Sequence, residues 1–175
     1  MKLLEFEKIY PDEGSCIAKI KEVKDKEPWT CPICGCKARY WKSDKLCYEC
    51  KDCHHRESIR KGTVMENSKL PFRYWFTAMH LLTSTKHTFS ALELQKQLGH
   101  KRYQPIWEML HKLRDVMGKR DGKYTLMGNV EIDEGFFSTE IPDGKKGEKL
   151  KAGAGSQAKT KVLVMAESVE EKEPK

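Results

Sequence analysis

Four cysteines fall in two pairs, Cys31-x2-Cys34 and Cys50-x2-Cys53, with fifteen residues between the pairs. Thiolates at this spacing grip one side of a tetrahedral metal ion, and two such pairs complete it. The first pair reads Cys31-Pro32-Ile33-Cys34-Gly35, where glycine permits the tight turn that aims backbone amides at a thiolate. The spacing predicts a zinc ribbon held by Cys31, Cys34, Cys50 and Cys53. Four thiolates leave no open coordination position, so the expected metal is structural. A disulfide scaffold fits poorly. All seven cysteines lie in the first third of the chain, seven is odd, and no signal-like segment precedes them. That usage points to a reducing compartment. Cys47 also forms a C-x2-C with Cys50, and Cys36 adjoins the first pair. A Cys47–Cys50 pair would shorten the loop to twelve residues. Cys50 and Cys53 are preferred because Tyr48 then enters as a strand residue facing Tyr40 or Trp41 across a hairpin. His54 and His55 are alternative fourth ligands, read as polar residues at the ribbon's edge. Cys16, on an apolar helical face, reads as buried.

Two further sets of residues could do chemistry. Asp133 sits at the end of an apolar-alternating strand beside Glu131 and Glu134. A carboxylate there can bind magnesium, but two-metal phosphoryl transfer needs several such oxygens from separate strands. By residue pattern alone, an acidic strand on a solvated sheet face is the better reading. The second set is Lys101, Arg102, Lys112 and Arg114, candidate contacts to DNA phosphates. Glu108 and Asp115 on the same segment oppose that role.

The charge distribution bears on the second set. The 175-residue chain carries a formal net charge of +7, with a sequence pI near 9.0. Residues 1–30 are net −1 and residues 128–175 net −2, whereas residues 31–127 carry +10. A basic centre fits a polyanionic partner as well as a lysine-rich soluble surface. No apolar run approaches membrane-spanning length, so a membrane role is not expected.

The elements that must position these residues follow from periodicity. Residues 12–26 predict a short helix capped by Asp12, with Ile17, Ile20 and Val23 at helical spacing. The ribbon spans roughly residues 29–62 and ends at Gly62 and Thr63. Three helices follow. The first starts near Pro71 and carries Phe72, Trp75, Phe76, Met79 and Leu82 on one stripe. The second opens with the capping box Ser90-Ala91-Leu92-Glu93, buries Ala91, Leu94 and Leu98, and stops at Gly99. The third begins near Pro105 and presents Ile106, Leu110, Leu113 and Met117, broadened by Trp107. A short helix, a glycine turn and a longer helix make a helix-turn-helix candidate. Residues 129–134 and 161–166 predict strands, the second apolar enough to be central. Between them, residues 144–161 read as a flexible basic loop, and residues 169–175 as disordered.

The order of these parts resembles a known family. A ribbon opening Cys-Pro-x-Cys-Gly precedes Arg56-x-Ser58-x3-Gly62-Thr63, Leu70-Pro71-x3-Trp75-Phe76 and Ser84-x-Lys86. Ser90-Ala91-Leu92-x-Leu94, Leu98-Gly99, Trp107-x-Met109-Leu110-His111-Lys112-Leu113-Arg114 and Gly128-x-Val130-Glu131-Ile132-Asp133-Glu134 follow. From about Tyr10 to Glu167 this resembles the ISXO-type transposases of bacterial insertion sequences. The resemblance implies an α+β chain in four parts: a helical segment (1–28), a zinc ribbon (29–62), a helix-turn-helix region (63–127) and the start of an RNase H-like catalytic domain (128–175). It implies DNA cleavage and joining by three acidic or equivalent residues with magnesium, Asp133 matching the first. The implied partner is double-stranded DNA at the element's terminal repeats, bound by a possible homo-oligomer in the nucleoid-associated cytoplasm. The implied second and third catalytic residues lie beyond these 175 residues, so this chain alone is expected to be inactive. His100 and Pro105 depart from the small or apolar residues usual in that family around the turn. Two rival readings are a non-catalytic DNA-binding protein and a zinc-ribbon module that binds protein.

Overall fold

The computed structural model describes residues 1–85, 88–138 and 159–168, an α+β arrangement of helices and small antiparallel sheets. Two compact units divide the chain, Met1–Gly122 and Lys123–Lys175.

The first unit opens with two helices, α1 (Leu3–Ile9) and α2 (Glu13–Lys26). Asp12 caps α2 as its sequence suggests, its carboxylate accepting the Ser15 amide at 2.8 Å. Cys16 and Ile20 are buried, while Val23, expected on the same face, is exposed. The preceding helix α1 lies in the segment expected to be helical (1–28) but outside the helix expected over residues 12–26. Leu3, Phe6 and Ile9 fall at helical spacing, but only Phe6 is buried. Phe6 stacks on the His80 ring at 4.5 Å, a contact from far along the chain.

A three-stranded antiparallel sheet follows: β1 (Arg39–Lys42), β2 (Cys47–Cys50) and β3 (Arg56–Ser58), with β2 central. Trp41 lies opposite Tyr48, their rings 5.0 Å apart. The sheet docks on α2 through polar contacts. Tyr48 donates to Asp25 at 2.7 Å, and the Arg39 guanidinium, 4.0 Å from the Tyr48 ring, donates to the Lys24 carbonyl.

Three helices complete the unit: α3 (Phe72–Ser84), α4 (Ala91–Leu98) and α5 (Tyr103–Asp121). Their starts and stops follow local chemistry. Ser90 accepts the Glu93 amide at 3.1 Å, and Gly99 ends α4 with φ of +64°. The buried faces differ in detail from the apolar stripes. On α3, Phe72, Trp75, Ala78 and His80 are buried, whereas Phe76, Met79 and Leu82 are partly covered. On α5, Ile106, Met109, Leu110 and Leu113 are buried, while Met117 is 44% exposed and Trp107 39%. Residues 114–121, the last turns of α5, are exposed among the described residues. One apolar core joins Cys16 and Ile20 of α2, Ile59 and Met65 after β3, and residues of all three later helices.

The N-terminus of α3 has a long-range cap. Pro71 offers no side-chain acceptor. Instead the Glu13 carboxylate accepts the Phe72 amide at 2.7 Å and the Arg73 amide at 2.8 Å. This satisfies two of the helix's orphan donors and places negative charge at the positive end of its dipole. Glu13→Gln is expected to cost about 1–2 kcal/mol, read as a lower urea midpoint at unchanged slope. An unchanged midpoint would remove the clamp from this account.

The second unit holds a two-stranded antiparallel hairpin, β4 (Asn129–Ser138) and β5 (Lys159–Ser168). Both strands run longer than their alternating segments. Asp133 therefore lies fifth in a ten-residue strand, not at its end, paired across to Val164. β5 has one partner among the described residues, so the central position expected for it is not seen. Lys86, most of the Gly- and Lys-rich stretch (144–158) and residues 169–175 lie outside the described residues.

Candidate metal centre and basic helix end

The two knuckles of the ribbon share one backbone design. In the first, the Cys31 amide donates to the Cys36 carbonyl at 2.9 Å and the Gly35 amide to the Cys31 carbonyl at 3.0 Å. In the second, the Cys50 amide donates to the His55 carbonyl at 2.9 Å. Gly35 has φ of +73° and His54, at the equivalent place, +58°. The Gly35 turn was legible in sequence; its counterpart was not, because histidine rarely adopts this region. His54 is thus the turn residue of its knuckle, not a ligand, and its Nδ1 lies 3.5 Å from the Glu49 carboxylate.

These turns bring four sulfurs together. Cys31 and Cys53 Sγ are 3.5 Å apart, as are Cys34 and Cys50, and all four lie within 4.8 Å of one another. A tetrahedron with metal–sulfur bonds of 2.3 Å has edges of about 3.8 Å. The four cysteines can therefore hold one metal ion, and Cys47 does not replace any of them. Cys47 is buried on β2 between Lys42 and Ser58. Cys36 sits beside the site, its sulfur accepting the Ala38 amide at 3.3 Å.

The crowded thiols split their proton affinities. The Cys53 and Asp52 amides hold the Cys50 thiol down to about 6, against its burial. Burial pushes Cys31 up, but the Cys34 and Ile33 amides and the Cys53 thiol outweigh it and lower it. The Cys53 thiol accepts the His55 amide, yet burial and its three thiol neighbours push it up to about 12. Next to the site, buried Glu49 binds Lys42 at 2.6 Å, Arg56 at 2.5 Å and the Tyr40 hydroxyl. This ties the three strands together at the second knuckle.

The basic candidates do not form one patch. Lys101 and Arg102 lie in the turn before α5, exposed, their side chains without a partner among the described residues. Lys112 donates to the Glu66 carbonyl at 2.7 Å, and Arg114 to the Phe89 carbonyl at 2.9 Å. These tether opposite flanks of α5 to different loops. The exposed ridge between them carries Gln104, Glu108, His111 and Asp115. Gln104 binds Glu108 at 3.1 Å and Lys119 binds Asp115 at 2.6 Å.

In the second unit Asp133 is exposed, and its Oδ1 accepts the Glu134 amide at 2.8 Å. Among the described residues, the four cysteines are the only group of three or more metal-binding side chains found close together. Among the described residues Asp133 belongs to no such group, and two-metal chemistry needs several carboxylates together. No helix among the described residues is long and apolar enough to cross a membrane.

Comparison with protein families, with curated proteins and with solved structures gave no match.

Proposed function

We propose that the first unit binds duplex DNA as the recognition module of an ISXO-type transposase, with zinc on the four cysteines. Tetrahedral sulfur coordination suits zinc, which fastens the ribbon and takes no part in chemistry. The observation that carries the DNA reading is the start of α5. Arg102 stands at its N-cap without a side-chain cap, next to Lys101, and neither cation is neutralised by a described residue. The helix end and both cations favour a phosphate there. α4 and the Gly99 turn back α5 as a first helix backs a recognition helix. The acidic residues along the outer ridge of α5 direct phosphate contacts to the helix end and flanks. In this reading Asp133 is the first carboxylate of the strand-transfer site, and the ordered motifs from Tyr10 to Glu167 support it.

Fluorescence anisotropy of a labelled duplex tests the reading. Lys101→Gln and Arg102→Gln are expected to weaken binding to all sequences alike, each lowering the salt slope by about 1. Lys112→Gln and Arg114→Gln should act more weakly, because both side chains already hold a carbonyl. Asp133→Ala should leave affinity unchanged. A chain that fails to bind duplex DNA even at low salt would end this reading and favour a ribbon that binds protein.

A further inference from the structure

Two clefts of the first unit adjoin. One, of about 460 Å³, lies between residues 67–71 and the start of α5, with Trp75, Arg102 and Lys112 among its walls. The other, of about 800 Å³, runs along β3 and the segment after it, with Arg56, Arg60 and Lys61. Asn67, Ser68 and Lys69 line both, so the two form one groove from the ribbon to the helix end.

The groove's acids are answered from within. Glu57 accepts the Trp29 indole N–H at 2.8 Å. Glu66 accepts the Gly62 amide at 2.8 Å and pairs with Lys61 at 3.0 Å, which lowers its pKa. Glu108 accepts from Gln104. The cations are not all answered: Lys69 and Arg102 have no side-chain partner among the described residues. The buried side-chain nitrogens found there without a partner, Arg60 Nη1 and Trp75 Nε1, are both donors and both belong to groove residues. Both atoms are buried beneath the lining, so the groove's open cations are Lys69 and Arg102.

We propose that this groove carries a stretch of DNA sugar–phosphate backbone from β3 to the N-terminus of α5, with Lys69 as its free phosphate contact and Lys61, already paired with Glu66, as a weaker one. This rests on the DNA reading above and extends the footprint beyond the helix end. A single phosphate ion would fill a small part of clefts this size, whereas a phosphodiester chain meets cations spaced along all of it. The cations come from separate elements, which suits a ligand whose charge repeats.

The test uses the full, metal-loaded chain and a fluorescein-labelled duplex. Lys69→Gln and Lys61→Gln are compared with Lys101→Gln at the helix end and Lys8→Gln on α1 as a control. Loss of the Lys69 contact is expected to shrink the affinity ratio between about 50 and 200 mM salt by about threefold, and loss of Lys61, already paired with Glu66, by less. Lys8→Gln should not change it. Melting temperatures near that of the parent would exclude misfolding, and Lys69→Glu should exceed Lys69→Gln in effect. If Lys101→Gln lowers the slope while Lys69→Gln and Lys61→Gln do not, the groove is wrong and the DNA reading survives. If the parent chain does not bind the duplex, both fall. Polyglutamate that binds, loses affinity with Lys69→Gln and is not displaced by duplex would overturn the proposal in favour of an acidic protein segment.

Discussion

Removing metal from Cys31, Cys34, Cys50 and Cys53 is expected to unfold the ribbon while α3, α4 and α5 stay folded. Structural zinc in small modules contributes on the order of 10 kcal/mol to folding. The ribbon has little else to stand on. Its strands are three or four residues long, and of residues 29–62 only Ile59 is a buried member of the main core. The helices keep Leu70, Phe72, Trp75, Leu94, Ile106, Met109, Leu110 and Leu113 in mutual contact without it. The C-terminal end of α2 should loosen with the ribbon, because Asp25 and Lys24 hold Tyr48 and Arg39. Native mass spectrometry should find one zinc per chain, lost in Cys50→Ser and kept in Cys47→Ser and Cys36→Ser. Amide exchange after chelation should rise in residues 29–62 and stay slow in α3 and α5. Acid should act in the same direction. The Cys53 thiol, pushed up to about 12, must give up its proton to bind metal, so affinity falls as pH falls. A purified chain with no metal, or with disulfides among these cysteines, would refute the site.

Trp75→Ala is expected to destabilise the first unit by about 3–5 kcal/mol, enough to threaten the fold. Trp75 is fully buried and central to the core that α3 shares with α2, α4 and α5. Trp75→Phe separates packing from polarity. The indole N–H is buried without a partner among the described residues, a cost of about 1–3 kcal/mol that phenylalanine does not carry. That saving offsets part of the lost ring area, so Trp75→Phe should cost only about 1 kcal/mol. Urea unfolding of both variants measures the difference. Equal losses would mean that the N–H has a partner in solution, such as an ordered water, and that its hydrogen bond stabilises the fold.

Neither prediction needed the same kind of information. The first was available from cysteine spacing, which is a local property: two residues between ligands set the reach of a knuckle whatever the surroundings. The second needed coordinates. Trp75 stood on an apolar stripe with Phe76 and Met79, and periodicity alone could not tell which side of that stripe lies deepest. The packing of α2 and α5 against α3 turned it toward Ala78 and His80. Met117 and Trp107 show the same limit on α5, where apolar residues at helical spacing stay largely exposed. His80, a polar residue in the interior, is explained only by Phe6 arriving from α1.

What the sequence determined by itself was therefore whatever depends on neighbours within a turn or two. This includes the paired cysteine spacing, the Asp12 and Ser90 caps, the Gly99 stop and the approximate limits of α2 to α5. Covalent geometry and backbone hydrogen bonding set these before any packing occurs. Tertiary structure alone decided the rest. It chose Cys53 over Cys47 by placing Cys47 in the sheet, and put His54 where a glycine would be expected. It set Glu13 on the N-terminus of α3, and joined Lys61, Lys69 and Arg102 along one groove. Those relations link residues far apart in the chain, and they exist only because burial of the shared core brings separate elements side by side.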